Sequence, residues 1–178
     1  THEKGIAHED ETDGHLKQHV VRSRFAGSNW KKETVTTTTS GFYRNYFLSP
    51  DTDGWVSGLH SYGSVTMKYF YPGIDLQMDG SGVQLKYSFI VAPVTSPQQI
   101  KWDVEGASSI QIDKEGNLVI ETTLGNIKES KPVAWTIKKG QKIPVEVEFK
   151  KNKQQLSFHF PDGYTTSDTL VIDPYLVF

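Results

Sequence analysis

The chain has 178 residues, 36% hydrophobic and 12% aromatic, with 19 basic and 21 acidic side chains and no cysteine. A domain of this length hides roughly 70% of the surface its unfolded chain exposes, so a core can form without metal or disulfide. The near balance of charge excludes a sequence-independent attraction to nucleic acid or anionic membrane, and no apolar run approaches the roughly 20 residues of a membrane span. The missing cysteines rule out disulfides and thiol chemistry and leave the compartment open.

Residues 1–14 are polar and acidic without apolar period, and are expected to be a flexible tail. No signal peptide is visible, so the chain reads as a fragment whose export signal has been cut away. From His15 onward the pattern turns to period two, and a first strand is expected with His19, Val21, Ser23 and Phe25 on one face. The Thr- and aromatic-rich run 31–48 favours strand over helix, because β-branched and flat side chains are stiff at χ1. The turn formers of SPDTDGW then break it.

The stretch YPGIDLQMDGSGVQLKYSFIVAP, residues 71–93, is the most regular in the chain. Ile74, Leu76 and Met78 fall on one face with Asp75, Gln77 and Asp79 on the other. After DGSG, Val83, Leu85, Tyr87 and Phe89 align, with Gln84, Lys86 and Ser88 opposite. This predicts two half-buried antiparallel strands joined by a glycine-rich turn. A second hairpin is expected across DKEGN, with Ile110 and Ile112 against Leu118 and Ile120, where Gly116 or Asn117 can take a positive φ. A third is expected to pair Val145, Val147 and Phe149 with Leu156, Phe158 and Phe160. TSPQQI offers a single helical turn, capped by Ser96 with Pro97 first. Strands at this spacing predict an all-β fold with almost no helix: an antiparallel β-sandwich over residues 15–174, either undivided or split into two β-rich lobes near 91–99.

Candidate sites are few. The tail and its border carry His2, Glu3, His8, Glu9, Asp10, Glu11, Asp13, His15 and His19, ligand types for zinc, but the segment has nothing to hold them rigidly. DTDG (51–54) and DKEGN (113–117) resemble halves of calcium loops without the closing glutamate, and turn chemistry explains both. Asp75, Asp103, Glu105 and Asp173 supply carboxylates of the kind glycoside hydrolysis pairs at a set separation, yet acids on solvated strand faces are expected anyway. No G-x-S-x-G elbow, P-loop, dinucleotide fingerprint or H-E-x-x-H occurs. The expectation is a chain with no catalytic residue, metal or cofactor. Among the aromatics, Trp55, Tyr46 and Tyr62 are the candidates for an exposed ligand-binding patch, Trp55 first because it follows a turn. A binding module would flank such rings with amides such as Gln77 or Gln84.

Several motifs together resemble a family. They are Asn45 to Leu48 (NYFL), Trp55, Tyr71 to Leu76 (YPGIDL), and Leu85 to Pro93 with Ser88 where the family usually has Asp. Glu105–Gly106, Gly116 to Leu118, Lys131 to Ala134 and Leu170 to Pro174 complete them. Over roughly residues 40–178 the chain resembles an N-terminal all-β domain of large secreted bacterial proteins, Bacteroidetes-type, that carry SBBP β-propeller repeats. The resemblance implies an extracellular or cell-surface location and no catalytic residues. It makes residues 175–178 the start of a following module. The function it suggests is a structural or interaction module, adhesion-related, whose partners are the downstream repeats of its own chain, with a glycan or surface protein as a further partner. The alternative is a carbohydrate- or peptide-binding module using exposed aromatics.

Overall fold

The computed structural model describes residues 17–29, 31, 35–47, 50–80, 86–174 and 176–177. The expected tail, Trp30, Ser81 and Gly82 of the DGSG turn, Val83, Gln84 and Leu85 of the strand expected after it, and Tyr175 and Phe178 lie outside these residues. Among the described residues fifteen strands follow one another: β1 (Arg22–Phe25), β2 (Val35–Tyr46), β3 (Val56–Tyr71), β4 (Ile74–Asp79), β5 (Lys86–Val91), β6 (Lys101–Glu105), β7 (Ser109–Ile112), β8 (Leu118–Thr122), β9 (Gly125–Glu129), β10 (Val133–Lys138), β11 (Gln141–Val145), β12 (Glu148–Asn152), β13 (Gln155–His159), β14 (Thr169–Asp173) and β15 (Leu176–Val177). The chain is all-β, as the two-residue period predicts. Its helical content among the described residues is two 3-10 turns, Thr52–Gly54 and Pro97–Gln99, the second capped by the Ser96 hydroxyl accepting from the Gln98 N–H.

Three sheets form, in the orders β1-β6-β13-β12, β11-β10-β14-β5-β4-β3-β2 and β15-β9-β8-β7. Every pairing is antiparallel. The seven-stranded sheet turns Ile74, Leu76, Phe89, Val91, Ala134, Leu170 and Ile172 inward, and the first sheet meets them with Trp102, Phe149, Leu156 and Phe158. Phe89 sits at the centre, 5.7 Å from Phe25 and 6.0 Å from Phe158 between ring centroids, both edge to face. Ile110, Leu118 and Ile120 of the third sheet close the same cluster. The core thus draws on strands from both sides of residues 91–99, and β10, β11 and β14 return to the sheet of β2–β5.

The predicted hairpins form with their predicted partners in two cases. Gln77 lies opposite Ser88, and Ile110 and Ile112 lie opposite Ile120 and Leu118. The third needs a correction. Phe149 does pair with Phe158, but Val145 pairs with Ala134 in the seven-stranded sheet, because the chain changes sheets between β11 and β12. Alternation fixes which side of a strand is buried and is silent on which sheet the strand joins. Leu176 and Val177 pair with Glu129 and Lys128, so the segment expected to open a following module lies along β9.

Glycine and aspartate place the corners. Gly73, at φ +73°, lets the chain turn from β3 into β4 where a side chain would strike Thr95 Oγ1. Gly106, at φ +85°, lies against the Val20 carbonyl. In β3 the register slips between Met67 and Tyr71, Tyr69 takes φ +56°, and Phe70 and Tyr71 are both buried. Asp75 holds this bulge: it accepts from the Tyr69 N–H at 2.9 Å and from Lys68 Nζ at 2.7 Å.

Candidate functional site

β2 and β3 are longer than the strands beside them. β4 pairs with β3 only at residues 64–67 and at Tyr71, whereas β2 follows β3 out to Val56 opposite Tyr46. Gly63 still accepts from the Gly80 N–H at 2.9 Å; beyond it, among the described residues, the pairing of 56–62 is with β2 alone, and the distal half of the hairpin is a two-stranded arm. The register shifts three times along it, and Gly41 and Gly58 adopt positive φ. Phe42 (72% exposed), Tyr43 (66%), Tyr46, Phe47, Trp55, Val56, Leu59 and Tyr62 all stand in solvent. At the tip, Phe47 and Trp55 meet edge to face at 5.0 Å, and the Asn45 side chain accepts from the Gly58 N–H at 2.9 Å.

The three sequence candidates all lie on this arm. Trp55 and Tyr46 share the tip, while Tyr62 sits near the base beside Phe42, Tyr43, Arg44 and Gly80. Tyr62 is six residues along β3 from the Val56–Tyr46 pair, about 20 Å at strand rise, so the three rings do not form one platform.

A second surface went unmarked in the sequence. The outer face of the seven-stranded sheet carries a depression of about 490 Å³. Its floor is a row across adjacent strands: Ile90 opposite Val171, and Val171 opposite Trp135. Lys142 lies opposite Ile137 and brings its ammonium 3.8 Å from the Trp135 ring centroid. The parallel row is polar, with Gln77 opposite Ser88 and the Ser88 hydroxyl donating to Asp173 at 2.8 Å. Asp79 and Lys86 face each other beyond it. The indole N–H of Trp135 is buried and has no hydrogen-bond partner among the described residues. The sequence signal was present: Phe89-Ile90-Val91 and Leu170-Val171-Ile172 are apolar on both faces.

Three of the four carboxylates considered for hydrolysis are engaged elsewhere, and the fourth, Asp103, lies two residues from Glu105 on β6. Asp75 clamps the β3 bulge, Asp173 accepts from Ser88, and Glu105 accepts from Arg24 at 2.8 Å, which lowers its pKa. Asp113 accepts from the Asn117 side chain and backbone and from the Glu115 N–H, and pairs with Lys128 at 3.0 Å, so its pKa is well lowered, chiefly by Asn117. This is the turn chemistry expected of DKEGN. Of the tail's candidate metal ligands only His19 is described, and its ring contacts Thr123 Oγ1 and the Gly106 carbonyl.

One acid departs from this pattern. Glu129 is 4% exposed and bonded by the Tyr87 hydroxyl, beside a small, largely apolar cavity lined by Phe25, Leu76, Met78 and Trp102. Burial raises its pKa to about 7 against the opposing pull of the Tyr87 hydrogen bond, and the Tyr87 hydroxyl is itself pushed well above its usual value by burial. Among the described residues, no helix is long and apolar enough to cross a membrane.

No curated protein and no solved structure matches this chain. A family match does, and it begins at residue 1, taking in the first forty residues that the motif resemblance left out. Over residues 1–175 the chain belongs to the DUF7948 family, described as a domain of unknown function.

Proposed function

We propose that this chain is a non-enzymatic interaction module of a larger secreted or cell-surface bacterial protein, and that its arm engages the β-propeller repeats downstream in the same chain. The observation that carries this reading is the arm itself, with eight large apolar side chains exposed on a ribbon flanked by no third strand among the described residues. An isolated two-stranded hairpin is marginal in water, and this much apolar surface exposed along one ribbon ordinarily meets a partner. Tyr and Trp suit such a contact because each buries a large area at small cost in rotamer entropy. The bacterial, exported context and the role in adhesion rest on the motif resemblance. The non-enzymatic reading is supported by the carboxylates, which hold turns, a bulge and ion pairs. The glycan- or peptide-binding alternative through Trp55, Tyr46 and Tyr62 has weaker support, since Tyr62 is distant from the other two.

The test is calorimetry between this chain and the following repeats, prepared as separate polypeptides. Binding is expected, weakened at least tenfold by Phe42→Ser with Tyr43→Ser. Absence of binding, or binding indifferent to the pair, contradicts the proposal. Protease added to intact cells should remove the native protein, and protection from it would contradict the surface location.

A further inference from the structure

We propose that the outer face of the seven-stranded sheet is a binding groove for a neutral, hydroxyl-rich ligand of the oligosaccharide class, seated on Ile90, Val171 and Trp135 and held by Gln77, Ser88, Asp173 and Lys86. The inference is independent of the arm and of the partner proposed for it.

Four observations converge on that ligand class. The first is volume: about 490 Å³ lies within the range of small-molecule sites. The groove crosses from β4 to β11, five neighbouring strands, or about 19 Å at the usual strand spacing, so it is long enough for an oligomer. The second is charge. Lys86 and Lys142 stand with Asp79 and Asp173, so the groove carries no net sign to draw an anion or a cation.

The third is the arrangement of apolar and polar groups. The Ile90–Val171–Trp135 row gives a flat apolar shelf, and the Gln77–Ser88–Asp173 row beside it gives donors and acceptors along one edge. A pyranose presents C–H faces and a rim of hydroxyls, and it fits a shelf beside a polar rail. An extended peptide does not. It would need a strand edge to pair with, and β5, β14 and β10 are each bonded on both sides. The fourth is the indole N–H of Trp135. A buried donor with no partner among the described residues costs free energy, and the Lys142 ammonium lies over that ring. A ligand hydroxyl that moves the Lys142 stem aside gives the indole an acceptor.

The experiment is affinity electrophoresis of this 178-residue chain through gels containing neutral soluble polysaccharides: a β-1,3-glucan, a β-1,4-glucan, a xylan, a galactomannan and an α-glucan. Titration of the corresponding oligosaccharide follows, with the indole N–H signals monitored by NMR and the Trp135 resonance assigned from Trp135→Phe. The proposal expects retardation by at least one polysaccharide, a shift of the Trp135 indole signal on titration, and at least tenfold weaker binding in Trp135→Ala. Gln77→Ala with Ser88→Ala, at solvated positions that leave the core intact, should weaken binding about tenfold as well. No retardation by any polysaccharide would overturn the proposal. Retardation unaffected by Gln77→Ala with Ser88→Ala, or lost in Trp55→Ser instead, would also overturn it.

Discussion

Aromatic side chains in the body of this protein and on its arm do different things. In the body, Phe25, Phe70, Phe89, Trp102, Phe149 and Phe158 touch one another across the gap between two sheets, and each is buried or packed against the core. On the arm, Phe42, Tyr43, Tyr46, Phe47, Trp55 and Tyr62 are no smaller, though three of them carry a phenol hydroxyl, and no second layer covers them among the described residues. A strand in the body has an inner face because another sheet lies beneath it. The arm leaves the sheet where β4 stops accompanying β3, and both of its faces meet water. Apolar residues therefore build structure in one region and remain available for contact in the other. That contrast, more than any titratable group, is the ground for the docking role proposed for the arm.

The comparison can be broken by substitution. The largest effect belongs to Phe89→Ala, which opens a cavity where the two sheets meet and should cost about 4 kcal/mol in denaturant unfolding; a loss near 1 kcal/mol would contradict the packing described.

Glu129 comes next and tests the one buried acid among the described residues. Its folded pKa of about 7 lies above the unfolded 4.5, so the native state binds more protons between those values and stability falls as pH rises through that window. The wild type should lose about 3 kcal/mol between pH 4.5 and 7 relative to Glu129→Gln, which has no such proton to lose. Parallel stability curves for the two proteins would refute the buried-acid assignment.

Asp75→Ala removes the acceptor of the Tyr69 N–H and should cost about 2 kcal/mol. Asp75→Asn keeps an acceptor there and should cost less than half as much, and equal losses would assign the effect to the Lys68 ion pair instead. The smallest effect is expected on the arm: Trp55→Ser should change unfolding free energy by about 1 kcal/mol or less, the worth of its edge-to-face contact with Phe47. A loss comparable to that of Phe89→Ala would mean that the arm's rings support the fold after all.

How much of this was legible in the sequence follows from what a period can encode. The alternation of residues 74–79 and 86–89 read correctly because one face is buried and the other is not, and the Asp113–Asn117 turn read correctly because its residues bond one another locally. The sheet change after Val145 was not legible, since nothing in the pattern says which layer a strand joins. The Trp135 groove hid for a related reason: nothing in the pattern says that Ile90, Val171 and Trp135, on three strands far apart in sequence, fall in one row across the sheet. Glu129 hid because its hydrogen-bond partner, Tyr87, is 42 residues away in sequence and in another sheet. The arm was half legible. Tyr46, Trp55 and Tyr62 were marked as exposed rings, but their spread along a ribbon depends on where β4 ends, a tertiary fact.

Amide hydrogen exchange of residues 39–46 and 56–62, compared between this chain alone and the full-length protein, tests the docking arm most directly. If the arm is a contact surface, these amides exchange far faster than those of β5 and β14 in the isolated chain and slow at least tenfold once the rest of the protein is present. Rates already as slow as the core's in isolation, or unchanged in the full-length protein, would show that nothing docks there.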